Sequence, residues 1–269
     1  MSRHRFVFSL AIALIISGNA MAQTVLITGA NSGLGLEFAR QYAAKGWHVI
    51  ATHRRSSIPE TLATLAAEHD NVRIERMDVT NEAQVHALAE KLATTKIDVL
   101  INNAGVYNDR SSCQTDDCPG DWSNQNFGKL DYGLLERILA VNVKGPLLVS
   151  ETFEPLVAAS EQKKIIVISS TNGSLTEETP RGGAIFYRAS KSALNRSFQL
   201  VASALKPEGI TVIMLHPGAV LTERQAGLAG YAGMVEMPFT VEHMINTIGA
   251  VTLQDSGHFI NYDGTSLPW

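Results

Sequence analysis

Short apolar runs alternate with longer amphipathic segments along most of the chain. Val25-Leu26-Ile27, His48 to Thr52, Val72 to Met77, Asp98 to Ile101, Lys164 to Ser169, Thr211 to Leu215 and His258 to Tyr262 read as strands. Between them, Leu34 to Lys45, Ile58 to Glu68, Glu82 to Ala93, Leu134 to Leu156, Tyr187 to Leu205 and Val241 to Val251 carry helical periodicity. Strands that are apolar on both faces and separated by helices belong to a parallel sheet covered on both sides. The pattern predicts an α/β fold: a doubly wound parallel sheet of seven strands, in one domain running from residue 23 to residue 269. No repeat, linker or low-complexity tract interrupts it.

The first 22 residues break this pattern. Arg3, His4 and Arg5 precede an apolar run from Phe6 to Ser17, and Ala20-Met21-Ala22 closes the stretch. A basic start, a short apolar run and a small-residue ending describe a secretory signal peptide. The run is too short for a stable membrane span, which needs about 20 residues. Cleavage after Ala22 leaves Gln23 as the first residue and a periplasmic or secreted protein. Two other readings stay open: Met21 as the true start, giving a cytoplasmic protein, or a leader retained as an anchor or core helix.

Charge and cysteine content narrow the function classes. The net charge of −4 carries no large block of one sign, which argues against a general nucleic-acid binder. The two cysteines, Cys113 and Cys118, lie in a polar loop, with no Cys/His cluster at metal-ligand spacing. They are either a small disulfide ring, as an oxidising compartment permits, or two loop thiols. No metal site is expected.

The first strand runs into Thr28-Gly29-Ala30-Asn31-Ser32-Gly33-Leu34-Gly35, which opens the first helix. Glycines there allow a sharp turn and close approach of backbone to a pyrophosphate, while the helix start offers free N–H groups and positive dipole. Later come Asp78-Val79 after the third strand, Asn102-Asn103-Ala104-Gly105 after the fourth, and Tyr187-Arg188-Ala189-Ser190-Lys191 on a helix. In this order and context the chain resembles the short-chain dehydrogenase/reductase superfamily from Thr24 to Trp269. Its C-terminal Phe259-Ile260-Asn261-Tyr262-Asp263-Gly264 is similar to the branch of the C-factor protein and sniffer-type carbonyl reductases. The resemblance implies a Rossmann fold and a nicotinamide dinucleotide cofactor. It assigns Gly29, Asn31, Ser32, Gly33, Leu34 and Gly35 to the phosphates, and Asp78 with Val79 to the adenine. Asn103, Ala104 and Gly105 would border the cofactor. In His216-Pro217-Gly218-Ala219-Val220-Leu221-Thr222, it places Pro217, Gly218, Val220 and Thr222 in a loop beside the nicotinamide.

The end of the second strand discriminates between cofactors. An acid there would bind the ribose 2′-hydroxyl of NAD, but the sequence reads Thr52-His53-Arg54-Arg55. Arg54 can grip a 2′-phosphate with charge-assisted bonds, so NADP(H) is expected and NAD(H) is less favoured.

Tyr187 and Lys191 lie one helical turn apart on the same face. An unperturbed phenol titrates near 10 and is a poor acid–base at neutral pH; a close ammonium favours its phenolate. The resemblance makes Tyr187 the proton donor and, with Lys191, a cofactor-binding residue; Lys191 tunes the phenol and holds the nicotinamide ribose. It makes Ser170 the hydroxyl that binds the substrate oxygen, and Asn142 the holder of a relay water. Ser170 stands 17 residues before Tyr187, farther than is usual in the family, while Ser174 has the shorter spacing. A short loop insertion explains this, so Ser170 is assigned. His216, before Pro-Gly, reads as structural.

The expected function is therefore hydride transfer between NADP(H) and a small-molecule carbonyl or alcohol, with Ser170, Tyr187, Lys191 and Asn142 as the site. The other reading is a secreted binding or signalling protein on a reductase scaffold. The segment between Gly105 and Asn142, with Asp109, Asp116, Asp117, Asp121 and Trp122, is expected at the pocket mouth, as is Glu223 to Met237. The resemblance also implies a homodimer or homotetramer through the helices around Asn142 and Tyr187.

Overall fold

The computed structural model describes residues 22–108, 121–176, 183–221 and 233–269. Residues 1–21 of the leader, Cys113 and Cys118, Asp109, Asp116, Asp117, Thr222 and residues 223–232 lie outside the described residues.

Seven strands form one parallel sheet: β1 (Thr24–Ile27), β2 (His48–His53), β3 (Val72–Arg76), β4 (Val99–Asn102), β5 (Lys164–Ile168), β6 (Thr211–His216) and, last in the chain, β9 (Phe259–Asn261). Their order is β3-β2-β1-β4-β5-β6-β9. The chain moves outward from β1 to β3, then returns to place β4 on the other side of β1. Such a reversal leaves a crevice beyond the carboxyl ends of β1 and β4, where open α/β sheets bind ligands.

Alternation along each strand divides the core between two faces. Val25 and Ile27 point to the face covered by α1 (Gly33–Ala44), α2 (Glu60–Glu68) and α7 (Met237–Ala250), packing with Phe38, Tyr42, Leu62, Val241 and Met244. Leu26 and Leu100 point the other way, against α3 (Glu82–Lys91), α5 (Gly145–Ala158) and α6 (Ile185–Leu205), where Val85, Phe153, Leu194 and Phe198 are buried. Among the described residues, no helix is long and apolar enough to cross a membrane.

Two expectations are corrected. The helix read as Leu134 to Leu156 is longer and interrupted: α4 (Tyr132–Leu139) passes through a π-helical turn at Ala140–Lys144 into α5. The Gly145 amide donates to the Ala140 carbonyl, five residues back, and so widens the turn. Asn142 lies in this turn with its side chain held by Val106 and Ser190, a tertiary constraint that periodicity alone does not register. The segment after Gly218, expected as a loop, contains a strand. There β7 (Ala219–Leu221) pairs in parallel with β8 (Met234–Glu236). Short apolar runs with no partner in the main sheet find one in each other.

Candidate active site

The turn after β1 is braced largely by its own neighbours. The Thr28 hydroxyl accepts from the Asn103 and Ala104 amides, both at 3.0 Å. The Asn103 side chain donates back to the Thr28 carbonyl at 2.9 Å and the Gly29 carbonyl at 3.1 Å. Gly35 sits inside this knot: a Cβ there would lie 2.4 Å from both Asn103 Nδ2 and the Gly29 carbonyl oxygen. Gly33, at φ +55°, faces open space, with nothing within 4 Å of where a Cβ would be. Asn31, Ser32, Gly33 and Leu34 remain partly exposed at the rim, and Ser32 makes no side-chain cap. The first-turn N–H groups of α1 have no intrahelical acceptors and lie beside this open turn, which suits an anion.

Next to it, β2 ends in His53, which is 2% exposed, followed by the exposed Arg54 and Arg55. Burial holds the His53 imidazole below its ordinary range, and the positive charges of Arg76 and Arg55 lower it further. His53 and Arg76 are register partners on β2 and β3, which brings a second guanidinium besides that of Arg55 to act on this end of β2. His53 Nδ1 is buried without a hydrogen-bond partner. Arg76 escaped the sequence reading because only strand register brings it here. Asp78 accepts at one carboxylate oxygen from both the Thr80 amide and hydroxyl, at 2.9 and 2.8 Å, and Val79 beside it is buried.

Across the crevice, Lys191 Nζ lies 5.8 Å from the centre of the Tyr187 ring and donates to the Ile168 carbonyl at 2.8 Å. Burial lowers the Lys191 ammonium to about 8. Burial raises the Tyr187 phenol above its usual value; a hydrogen bond from Ser170 opposes this, and the Tyr107 phenol adds to it. The Ser170 hydroxyl accepts from the Asn172 amide at 3.2 Å and side chain at 3.4 Å, which leaves its own proton to donate. Ser174 instead bonds Thr176. Gly173 lets this turn reach α6, since a Cβ there would stand 2.7 Å from the Lys191 carbonyl carbon. Ser170, Tyr187 and Lys191 thus converge.

Asn142 meets them only indirectly. Its oxygen accepts from the Val106 amide at 2.8 Å; its nitrogen donates to the Val106 carbonyl at 2.7 Å and to Ser190 Oγ at 3.0 Å. Both amide protons are used, so the side chain keeps at most one free lone pair for a water. Ser190 then donates to the Tyr187 carbonyl at 2.7 Å, which ties the π turn to the helix of the phenol. Gly105 lies beside Asn142. On β6, burial takes His216 down to about 4, helped by the charge of Lys191, so it is neutral at neutral pH. Pro217 accepts at its carbonyl from Thr240, Gly218 has φ +80°, and Val220 is buried within the β7–β8 ribbon.

Three further residues contact Tyr187, two at its ring and one at its main chain. The Tyr107 and Trp122 rings stack with centroids 5.3 Å apart, and both meet Tyr187 edge-on at 6.3 and 6.4 Å. Gln125, fully buried, accepts from the Tyr187 amide at 3.0 Å and donates to the Tyr107 carbonyl at 2.8 Å. Sequence reading put Trp122 near the pocket mouth but passed over Tyr107 and Gln125. A glutamine in a polar segment with no periodic pattern gives no such signal.

Residues 23–230 match the family described as short chain dehydrogenase. The chain is 34% identical over 185 residues to C-signal of Myxococcus xanthus, covering 69% of this chain and all of that protein. It is similar to an NADPH-bound carbonyl reductase from chicken fatty liver, with a TM-score of 0.80 and 29% identity over 92% of this chain and 99% of that one. It is also similar to the carbonyl reductase Sniffer of Drosophila melanogaster, with a TM-score of 0.78 and 28% identity over 92% and 100%. The parallel sheet reversing at β1 and β4, the glycine turn beside it and these likenesses agree: the chain belongs to the short-chain dehydrogenase/reductase family of oxidoreductases.

Proposed function

We propose that the chain is an NADP(H)-dependent reductase that interconverts a small-molecule carbonyl and its alcohol through Ser170, Tyr187, Lys191 and Asn142. The observation that carries this reading is the convergence of the Ser170 hydroxyl and the Lys191 ammonium on one phenol beside the crevice. The residues present fit the cofactor. The open turn at Gly33 and the start of α1 suit the pyrophosphate, while Arg54, with Arg55 and Arg76 close by, suits a 2′-phosphate and favours NADP(H) over NAD(H). The bound nicotinamide would supply or accept the hydride.

Ser170 donates to the substrate oxygen and polarises the carbonyl. Tyr187, kept as a phenol by burial, delivers the proton to that oxygen. Lys191 is cationic below about pH 8 and stabilises the phenolate left behind. Asn142 holds the π turn and Ser190 in place and offers one acceptor to a relay water. Carbonyl reduction, which needs Tyr187 and Lys191 protonated, should be level below pH 8 and fall above it. Alcohol oxidation, which needs the phenolate, should rise with pH.

A second reading, a binding or signalling protein on this scaffold, draws on the likeness to C-signal. Purified protein separates the two. The reductase reading expects quenching of NADPH fluorescence on binding and NADPH oxidation with a panel of aldehydes and ketones. NADPH binding with no turnover on any carbonyl would move the assignment to the second reading. The N-terminal stretch supports export, with cleavage after Ala22. Intact mass and N-terminal sequencing of protein from separated native cell compartments test this: a start at Gln23 outside the cytosol supports it, and a start at Met21 inside rejects it.

A further inference from the structure

We propose that the Tyr107–Trp122 stack is a substrate-recognition wall that selects planar, conjugated carbonyl compounds, aryl aldehydes and ketones, over saturated ones of the same bulk. Gln125 is the positioning residue that holds this wall against Tyr187. The inference rests on the reductase reading for the location of the reacting oxygen.

Three observations carry it. First, both rings of the stack meet the Tyr187 ring, at 6.3 and 6.4 Å with interplanar angles of 75° and 86°, so the phenol stands edge-on beside them. A carbonyl oxygen held by Tyr187 and Ser170 has its attached group within reach of the same aromatic surface. Second, the stack is not a component of the nearby apolar core. That cluster is Leu134, Ile138 and Phe186, with Val106, Leu130, Leu135 and Ile185 packed around it and Tyr132 against Phe186. Trp122 keeps 39% of its surface exposed. Third, the stack is tied to the catalytic helix through a buried amide, since Gln125 bonds the main chain of both Tyr107 and Tyr187. An exposed ring with no role in recognition has no need of such a fixed distance. Aromatic rings prefer offset-stacked or edge-to-face partners, and a flat conjugated group fits either arrangement where a puckered ring does not.

The test compares benzaldehyde with cyclohexanecarbaldehyde in turnover with NADPH, and the unreactive benzamide with cyclohexanecarboxamide in binding to the NADPH-loaded protein, read by calorimetry. Intrinsic aldehyde reactivity cancels when wild type and variant are compared as ratios. In Trp122→Leu, the aryl-to-saturated ratio of kcat/KM and the ratio of amide affinities should each fall about tenfold, roughly the value of one ring–ring contact. Trp122→Phe should restore most of both. Gln125→Met should lower both ratios in the same direction; an equal drop in kcat for the two aldehydes with unchanged ratios would remove its positioning role. Ratios unmoved in Trp122→Leu while turnover persists would overturn the wall and leave the reductase reading standing. No turnover on either aldehyde, with an amide preference that Trp122→Leu abolishes, would do the reverse.

Discussion

On the β1 side of the crevice, Thr28, Gly29, Gly35 and Asn103 bond and pack largely against one another, and their arrangement is already encoded in two short stretches of chain. On the α6 side, Tyr187 is held by residues drawn from across the molecule: Gln125 at its amide, Ser190 at its carbonyl, Ser170 at its phenol and Lys191 beside its ring. The first half is a compact device, in which the Thr28 and Asn103 side chains brace one turn. The second is a dispersed device, in which groups from several elements hold the main chain and the ring of one residue. If this contrast is right, the halves should fail separately, each with its own signature.

The largest effect is expected from Tyr187→Phe. It removes the hydroxyl proposed as the proton donor and leaves the ring contacts, so kcat for carbonyl reduction should fall by about 10³-fold, within the usual span for a positioned acid. NADPH affinity, read by fluorescence quenching, should stay within about twofold because no atom of the glycine turn is touched. A parallel loss of NADPH binding would show that the halves are coupled and break the comparison.

His216 sharpens it from the side of stability. Its folded value of about 4 lies below the ordinary 6.5, chiefly through burial and secondarily through Lys191. Between those values the unfolded chain takes up a proton that the folded one refuses. Stability is therefore lost as pH falls from 6.5 towards 4, and this one group accounts for on the order of 3 kcal/mol. Urea unfolding of His216→Asn across that range should show a correspondingly shallower fall than wild type. Equal slopes would mean that His216 is not held neutral.

Legibility followed the same division. Thr28 to Gly35 could be read as a turn from its glycines after a strand, whereas Asn102 to Gly105 was legible through the family resemblance, since its partner Thr28 lies 75 residues from Asn103. Tyr187 and Lys191 were legible as a pair since helical periodicity puts them on one face. The π turn at Asn142 was not, for it depends on bonds to Val106 and Ser190, 36 and 48 residues away. Arg76 needed the β2–β3 register, and Gln125 needed the approach of α6 to a segment 62 residues earlier. The β7–β8 ribbon was hidden for a related reason: three-residue strands have too little pattern of their own, and only pairing defines them.

Gly35→Ala addresses the β1 half. Its Cβ would stand 2.4 Å from Asn103 Nδ2 and from the Gly29 carbonyl oxygen, the second of which is backbone that cannot swing aside. Overpacking of this kind costs about 1–3 kcal/mol, and the strain falls on the turn proposed to hold the phosphates. The expected outcome is a lower urea midpoint together with weaker NADPH binding, while kcat at saturating NADPH stays far above that of Tyr187→Phe. Binding as tight as wild type would mean that the turn is not part of the cofactor site.

The smallest effect expected is at Arg54, where it is a preference that changes and not an activity. Arg54 is exposed, so water and salt screen its charge, and the bond proposed for it to a 2′-phosphate would be one of several, since Arg55 and Arg76 also act on the neighbouring His53. Removing it should cost about 1–2 kcal/mol of discrimination, or roughly tenfold in the ratio of kcat/KM for NADPH over NADH. The loss should fall on NADPH alone, since NADH carries no phosphate for the guanidinium to grip. Arg54→Ala should accordingly raise KM for NADPH and leave KM for NADH nearly unchanged, and the difference should shrink as ionic strength rises. If the NADPH preference survives Arg54→Ala but falls in Arg76→Ala, the specificity lies in the register partner of His53, and this corner of the β1 half is set by tertiary pairing like the α6 half across the crevice.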